Sequence, residues 1–543
     1  MKTKIAHLAA LLILLFSMFL PTQSVFAATI NVESTADGAA NAAHCPGAAC
    51  TLRDAVAKAS PGDTILFNLP ATPADITLTN GEIAINKNLT IQGPGSSDLT
   101  VSGNLASRIF QINQYNVTIS GMTLLDGRAP DNYGGAIYSG GNLTLDDMLI
   151  TQNATTAVTA TYLRGGGISQ NGGSLTITNS QITQNYAVYA GGGLSVANAP
   201  LSMTNVTISQ NQTNLTTSAG GGGIDLYDND LNDGLTTSAT LNQVSILNNT
   251  TYDAGGGMNI NGAVTVTLSN VTIRENETID TYGGGIAAYD SNNAVTINIT
   301  NNSTIQDNLA NGTFGNGGGI STNGSLSVTD SSFINNSASQ DGGAIFASGN
   351  GSTVTLTNAT LSGNQSNGGA GVYASNISSL TITDSTITNN QAQINGGGLY
   401  YGDPDGHTII QSSVISGNQA INGSGGGLST GGDVSIEDTS ISGNSSFYDG
   451  GGIYHYSDNK SFTLNRVTIS GNSAISNAGG LNLLNTGTGG ITNSTISGNS
   501  STNGVGGVEA NASTSVLFNH VTIAGNTSTN FVGGVRDLSL IHI

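Results

Sequence analysis

Asp225, Asp228, Asp230 and Asp233 lie in the nine-residue stretch "DLYDNDLND". That density of carboxylate oxygen suits a calcium loop, and calcium is the one cofactor the sequence raises. The glycine that an EF-hand-like turn needs at its sixth position arrives one residue late, at Gly234. "DPDG" at 403–406 reads more simply as a turn. Between Arg164 and Lys460 the only cation is Arg274, beside Glu275 and Glu277, the pattern of a solvated ion pair. His407, His455 and His520 have no partner at metal-ligand spacing and are expected as solvated loop residues. Cys45 and Cys50 are the only cysteines. A disulfide closing their short loop, contributing about 2 kcal/mol, is preferred over a pair of free thiols.

Cleavage of an acidic polysaccharide needs paired carboxylates flanking the glycosidic bond, with a cation for the uronate. The chain has no Gly-His-Gly and no Arg-Ile-Lys, and no catalytic residue is assigned. No glycine run is followed by Lys-Ser/Thr, so none is a phosphate loop. Tyr133, Tyr189, Tyr252, Tyr282 and Tyr448 precede glycine runs and are candidates for stacking on sugar rings. The competing reading has them packed over the glycine corners. Thr-x-Thr pairs at 176/178, 355/357 and 381/383 suggest ice binding, but neighbouring repeats place Ser, Asn and Glu at those positions.

The elements that must carry these residues are repeats. Gly-Gly-x-apolar ends at Ile137, Ile168, Leu194, Ile224, Met258, Ile286, Ile320, Ile345, Val372, Leu399, Leu428, Ile453, Leu481, Val508 and Val535, at spacings of 25 to 34 residues. Apolar-x-x-Asn recurs in the same rhythm, at Asn153, Asn185, Asn211, Asn249, Asn276, Asn308, Asn336, Asn364, Asn390, Asn418, Asn444, Asn472, Asn499 and Asn526. In "SLTITNSQITQN", Leu175 and Ile177 alternate with Thr176 and Thr178 as in a strand with one apolar face. Strands this short cannot bury that face alone, but coils stacked at about 4.8 Å can. The expectation is an all-β parallel β-helix of about 16 coils with three strands per coil. Those strands would lie around the GGG-Ile, "LTIT" and "SQIT" segments. Each Asn would sit at a buried corner and bond its own turn and the Asn of the next coil. A second polar column (Asn179, Asn205, Asn270, Asn302, Asp330, Asn358, Asp384, Asp438, Asn493) would mark the bend between two strands.

Four segments follow: a leader at 1–27, an N-terminal segment at 28–63, the solenoid at 64–535 and an off-pattern tail at 536–543, "RDLSLIHI". Lys2, Lys4, the apolar run Leu8–Leu20 and Val25-Phe26-Ala27 have the form of a secretory signal peptide. Leu52, Val56 and Ala59 have helical spacing before Pro61-Gly62, so a short helix is expected to cover the first coil. Later segments are too short to span a membrane as a helix. The formal net charge of −21 argues against nucleic acid and anionic membranes as partners.

"CTLRDAVAKA" after "STADG" resembles the N-terminal motif of bacterial extracellular proteins named for a Cys-Ser-Leu-Arg-Glu-Ala signature, read here as Cys50-Thr51-Leu52-Arg53-Asp54-Ala55. The two repeated elements are similar to those of the chlamydial polymorphic outer-membrane proteins, over residues 134–535. Only Phe333 keeps the phenylalanine usual in their second element, and their C-terminal barrel has no counterpart. The resemblance implies a right-handed helix and a secreted or cell-surface location. The resulting expectation is a non-catalytic adhesion protein that contacts a polysaccharide or host-surface glycoprotein. A polysaccharide-degrading enzyme is the alternative and an ice-binding solenoid the third.

Overall fold

The computed structural model describes residues 27–129, 133–156, 163–214, 216, 220–228, 237–457, 459–511 and 515–537. The expected leader lies outside the described residues, apart from Ala27. The chain winds into a parallel β-solenoid of about 17 turns. Its backbone carries three sheets whose strands pair with the equivalent strand of the next coil.

One coil shows the pattern. Gly165 turns the chain with φ +72°, and a Cβ on Gly166 would stand 2.3 Å from the Gly192 carbonyl of the next coil. Only glycine permits both that dihedral and that approach. Ile168–Asn171 follows, pairing in register with Leu194–Ala197. Such glycine strands form one unbranched ladder of 17 strands, from Ile83–Ile85 to Val535–Asp537. The ladder therefore reaches Asp537, two residues beyond the expected end of the solenoid; residues 538–543 lie outside the described residues.

The partition of the remaining strands differs from expectation. "LTIT" and "SQIT" belong to one strand, Ser174–Thr183, bent at Asn179 with φ +48°. Later coils split this strand, as in Thr265–Ser269 and Thr272–Arg274. All nine residues of the second polar column have φ between +48° and +59°, where short polar side chains are favoured over other non-glycine residues. The third sheet is built from two-residue strands after the Asn corner, such as Tyr186–Ala187. A two-residue strand has no periodicity, which is why pattern reading passes over it.

Inward residues Ile168, Leu175, Ile177 and Ile182 are fully buried, each contributing about 1.5–3 kcal/mol of hydrophobic stabilisation. His455 joins them: it is the third residue of the strand Ile453–Tyr456 and alternation turns it inward. Its ring lies 5.0 Å from that of Phe462, so it is a core residue and not a solvated loop histidine.

The segment before residue 64 is part of the rod, since Thr29–Val32 pairs in parallel with Thr64–Phe67. Cys45 and Cys50 are joined as a disulfide. The helix Leu52–Lys58 is capped reciprocally by Thr51 and Asp54. Arg53 grips Asp37 at 2.8 and 3.1 Å and the carbonyls of Gly81 and Glu82 at 2.6 and 2.9 Å, strapping the helix to the first coils. No helix among the described residues is long and apolar enough to cross a membrane.

Candidate functional site

The recurrent asparagines form one continuous ladder from Asn153 to Asn526. Asn390 is typical: its backbone N–H and its Nδ2 donate to Asn418 Oδ1 at 3.0 and 2.9 Å. Nδ2 donates again to the Leu361 carbonyl of the preceding coil at 3.0 Å. From Asn153 to Asn499 the ladder residues are at most 1% exposed, and their hydrogen bonds leave no group for a ligand. The residue before each ladder Asn is always left-handed: Gln184 has φ +57°, Glu275 +55° and Gly417 +65°. Aligning the repeats does not reveal that position, because its residue type varies.

The carboxylate run is not a calcium loop around Asp225. Asp225 sits on the glycine strand Ile224–Tyr227, fully buried, and takes hydrogen bonds from Arg164, Ser195 Oγ (2.9 Å) and Asn259 Nδ2 (3.0 Å). Donors from three other coils fill the oxygens that a cation would need. Arg164 lies between the rings of Tyr189 and Tyr227, 5.0 and 3.9 Å from their centroids. Burial alone would lower its pKa, but the charge and hydrogen bond of Asp225 raise it above the usual value. The arrangement is a paired, stacked ion bridge across the outer face of the glycine sheet. Asp228 lies 3.5 Å from the Thr237 amide, and Asp230 and Asp233 lie outside the described residues. Among the described residues no three His, Cys, Asp or Glu side chains converge for a metal.

The five candidate tyrosines do not make one row of free ring faces. Tyr133 stacks on Tyr138 at 6.1 Å, Tyr189 on Arg164, and Tyr282 against Tyr289 at 4.6 Å. Tyr252 faces Asp280. Tyr448 is exposed, edge-on to Phe447 at 4.9 Å. They precede their glycines by different offsets, so stacking the coils does not align them. The rings that do align follow the glycines: Phe346, Tyr373 and Tyr400 stack at 5.3 and 4.7 Å with planes within 18°. Stacked this way they cover each other's faces. Beside them, burial pushes the Asp341 carboxyl up to about 6, opposed by the Gly368 amide. Burial likewise raises Asp449 and Glu509.

An open groove of about 480 Å³ runs along the face of the two-residue strands across five coils. Its floor is Gln419, Ser445, Ser473, Ser500 and Thr527, one per coil and in register. One wall is Ile421, Phe447, Ile475 and Thr502; Phe447 and Ile475 are exposed. All of its lining residues are uncharged. Lower on the same face the floor holds Gln365 and Gln391, and Gln391 Nε2 donates to Gln419 Oε1 at 3.0 Å. There the hollow is only about 170 Å³. The larger groove begins at Gln419, and serine floors its next three coils. No sequence signal marks it, because the two-residue strand that floors it has no pattern of its own.

The remaining candidates stay apart. Arg274 pairs with Glu275 at 3.8 Å, both about two-fifths exposed. His407 lies 3.5 Å from Asp433 in solvent. Outward pairs Ser327/Thr329, Thr355/Thr357 and Thr381/Thr383 align in three successive coils, and the next coil breaks the array with Ile409/Gln411.

The geometry defines a right-handed parallel β-helix, and the family described as right handed beta helix region matches residues 321–500. Among solved structures, the crystal structure of pectate lyase Pel9A is similar with a TM-score of 0.37 and 15% identity, covering 60% of this chain and 78% of that one. So distant a likeness does not bear on activity. No curated protein matches the sequence.

Proposed function

We infer that this chain is an exported, non-catalytic rod that makes surface contact through its two-residue-strand face. The observation that carries this reading is the uncharged groove spanning five coils on a chain of net charge −21. Its lining supplies hydroxyls, amides and an apolar wall, which bind by area and not by chemistry at one residue. The leader-like residues 1–27 and the resemblance to surface-displayed repeat proteins support export to the cell surface or beyond.

A second reading, polysaccharide cleavage, draws on Asp341, whose carboxyl is pushed up by burial to about 6, in the range of a general acid. One experiment separates the two. Purified protein is incubated with neutral and acidic glycans, with and without calcium, while binding and end-group release are followed. Retention on glycan or cell surface without release of reducing or unsaturated ends is expected. Sustained release that disappears in Asp341→Asn would replace surface contact with catalysis.

A further inference from the structure

We propose that the groove over Gln419, Ser445, Ser473, Ser500 and Thr527 binds an uncharged, linear polysaccharide lying parallel to the rod axis, with about one sugar ring per coil. The proposal rests on the surface-contact reading and names the ligand class of that face. Three features of the groove carry it.

The first is the floor. Ser445, Ser473 and Ser500 are half-buried, and within the described residues their hydroxyls make no hydrogen bond. They repeat at the coil spacing of about 4.8 Å, comparable with the advance per ring of an extended pyranose chain. A hydroxyl can donate or accept, so each can meet a sugar hydroxyl of either sense. The second is the wall. Phe447 and Ile475 rise beside the serines with about two-fifths of their surface exposed. A pyranose has an apolar C–H face and a hydroxyl-bearing edge, so a chain on its side matches a groove with one apolar wall and a polar floor.

The third is the backbone. Amides and carbonyls of these strands point along the axis into neighbouring coils, as Ser445–Ser446 pairs with Ser473–Ala474. The groove therefore offers side chains only, and an extended peptide laid in it cannot gain the main-chain hydrogen bonds of strand addition. Charge narrows the class further. With no cation in the lining and a strongly negative chain, a polyuronate gains nothing and is repelled.

The test is calorimetry of the full chain with neutral linear gluco-oligosaccharides of two to six rings, and with oligogalacturonate of equal length as the acidic arm. Affinity is expected to climb with each ring up to about five and then level off, with at least tenfold weaker binding of the acidic oligomers. Ser473→Glu, which sets a carboxylate mid-floor, is expected to abolish binding. Phe447→Ala is expected to weaken it by about three- to tenfold. Circular dichroism and melting of both variants, expected to match wild type, show that the rod is intact. Length-independent binding, unchanged affinity in both variants, or preference for the acidic oligomer overturns the proposal. Adherence to whole cells keeps its failure separate from that of the broader reading. Wild type and Ser473→Glu adhering equally would sink the glycan groove alone, whereas wild type adhering to no surface would sink surface contact itself.

Discussion

The Asn corner and the outer face of the glycine strands belong to the same coils, yet they obey opposite rules. At the corner the residue never changes from Asn153 to Asn526. On the glycine face, the column directly above Tyr138 reads Ser169, Ser195, Asp225, Asn259, Ala287, Ser321 and then Phe346, Tyr373, Tyr400. The corner is closed on itself: between the two ends of the ladder each amide accepts twice from the coil below and donates once to that coil and once to the coil above, as Asn418 does, and only a carboxamide on a short stem does both. The outer face has no such per-coil demand. Its residues are satisfied in clusters, such as Arg164 with Asp225, Ser195 and Asn259, so type drifts while complementarity is kept.

The largest effect is expected where that closed rule is broken. Asn418→Ala removes the acceptor of two Asn390 donors and the donor to the Ile387 carbonyl. Buried groups left unpaired cost roughly 1–3 kcal/mol each, so a local loss of about 4 kcal/mol is expected. Because a solenoid unfolds by coils, the readout is amide exchange between residues 387 and 444, not a single melting midpoint. Protection unchanged from wild type would show that the ladder carries little stability. Asp225→Ala is the matching break on the outer face. Removing one partner of a buried pair leaves Arg164 uncompensated, and about 3 kcal/mol is expected. Arg164→Met together with Asp225→Leu should recover most of it; no recovery would mean that the carboxylate matters through Ser195 and Asn259 instead.

That contrast also explains what the sequence discloses. The coil, the Asn column and the polar bend at Asn179 are legible because translation along one axis imposes the same demand on matching positions, and alignment of the repeats reads that demand directly. The two-residue strand is hidden because it needs only one buried small residue, Ala187 or Ala420, which has no pattern of its own. The Arg164–Asp225 bridge is hidden for a different reason. Its members come from different coils 61 residues apart and occur once, so no repeat marks them, and counting the aspartates alone suggests calcium. His455 is misplaced for want of strand register, which shows that a single ionisable residue in a glycine strand can face inward.

Titration sharpens the comparison between inside and outside. His455, in the core, is held neutral by burial, with its pKa lowered to about 4 from 6.5. In that interval the unfolded chain binds more protons, so His455 makes stability fall as pH drops from about 6.5 to 4. Asp341, on the outer face, has its pKa raised to about 6 from 3.8, so the folded chain binds more protons between those values. Its contribution runs the other way, with stability lost as pH rises from about 3.8 to 6. His455→Leu should flatten the first slope and leave the second, and Asp341→Asn the reverse, when coil-resolved amide exchange is followed from pH 4 to 7. The same slopes in both variants would place the titrating groups elsewhere.

The smallest effect is expected at Thr381, on the outward face of the long strands, where neither rule applies. Its side chain is half-buried between Thr355 and Ile409 of the adjacent coils and makes no side-chain hydrogen bond among the described residues. Replacing it with Ala gives up β-branched packing against two neighbours and nothing buried. A change within about 0.5 kcal/mol is expected. A loss approaching that of Asn418→Ala would mean that the outward columns brace the coils as firmly as the amide ladder does. Thermal hysteresis tests the same surface in a second way. An ice lattice needs the threonine array to continue, and it spans only the coils of Thr355/Thr357 and Thr381/Thr383, between Ser327 on one side and Ile409 with Gln411 on the other. Wild type should therefore show none, and neither should Ile409→Thr, because Ser435 and Glu437 in the following coil end the array again.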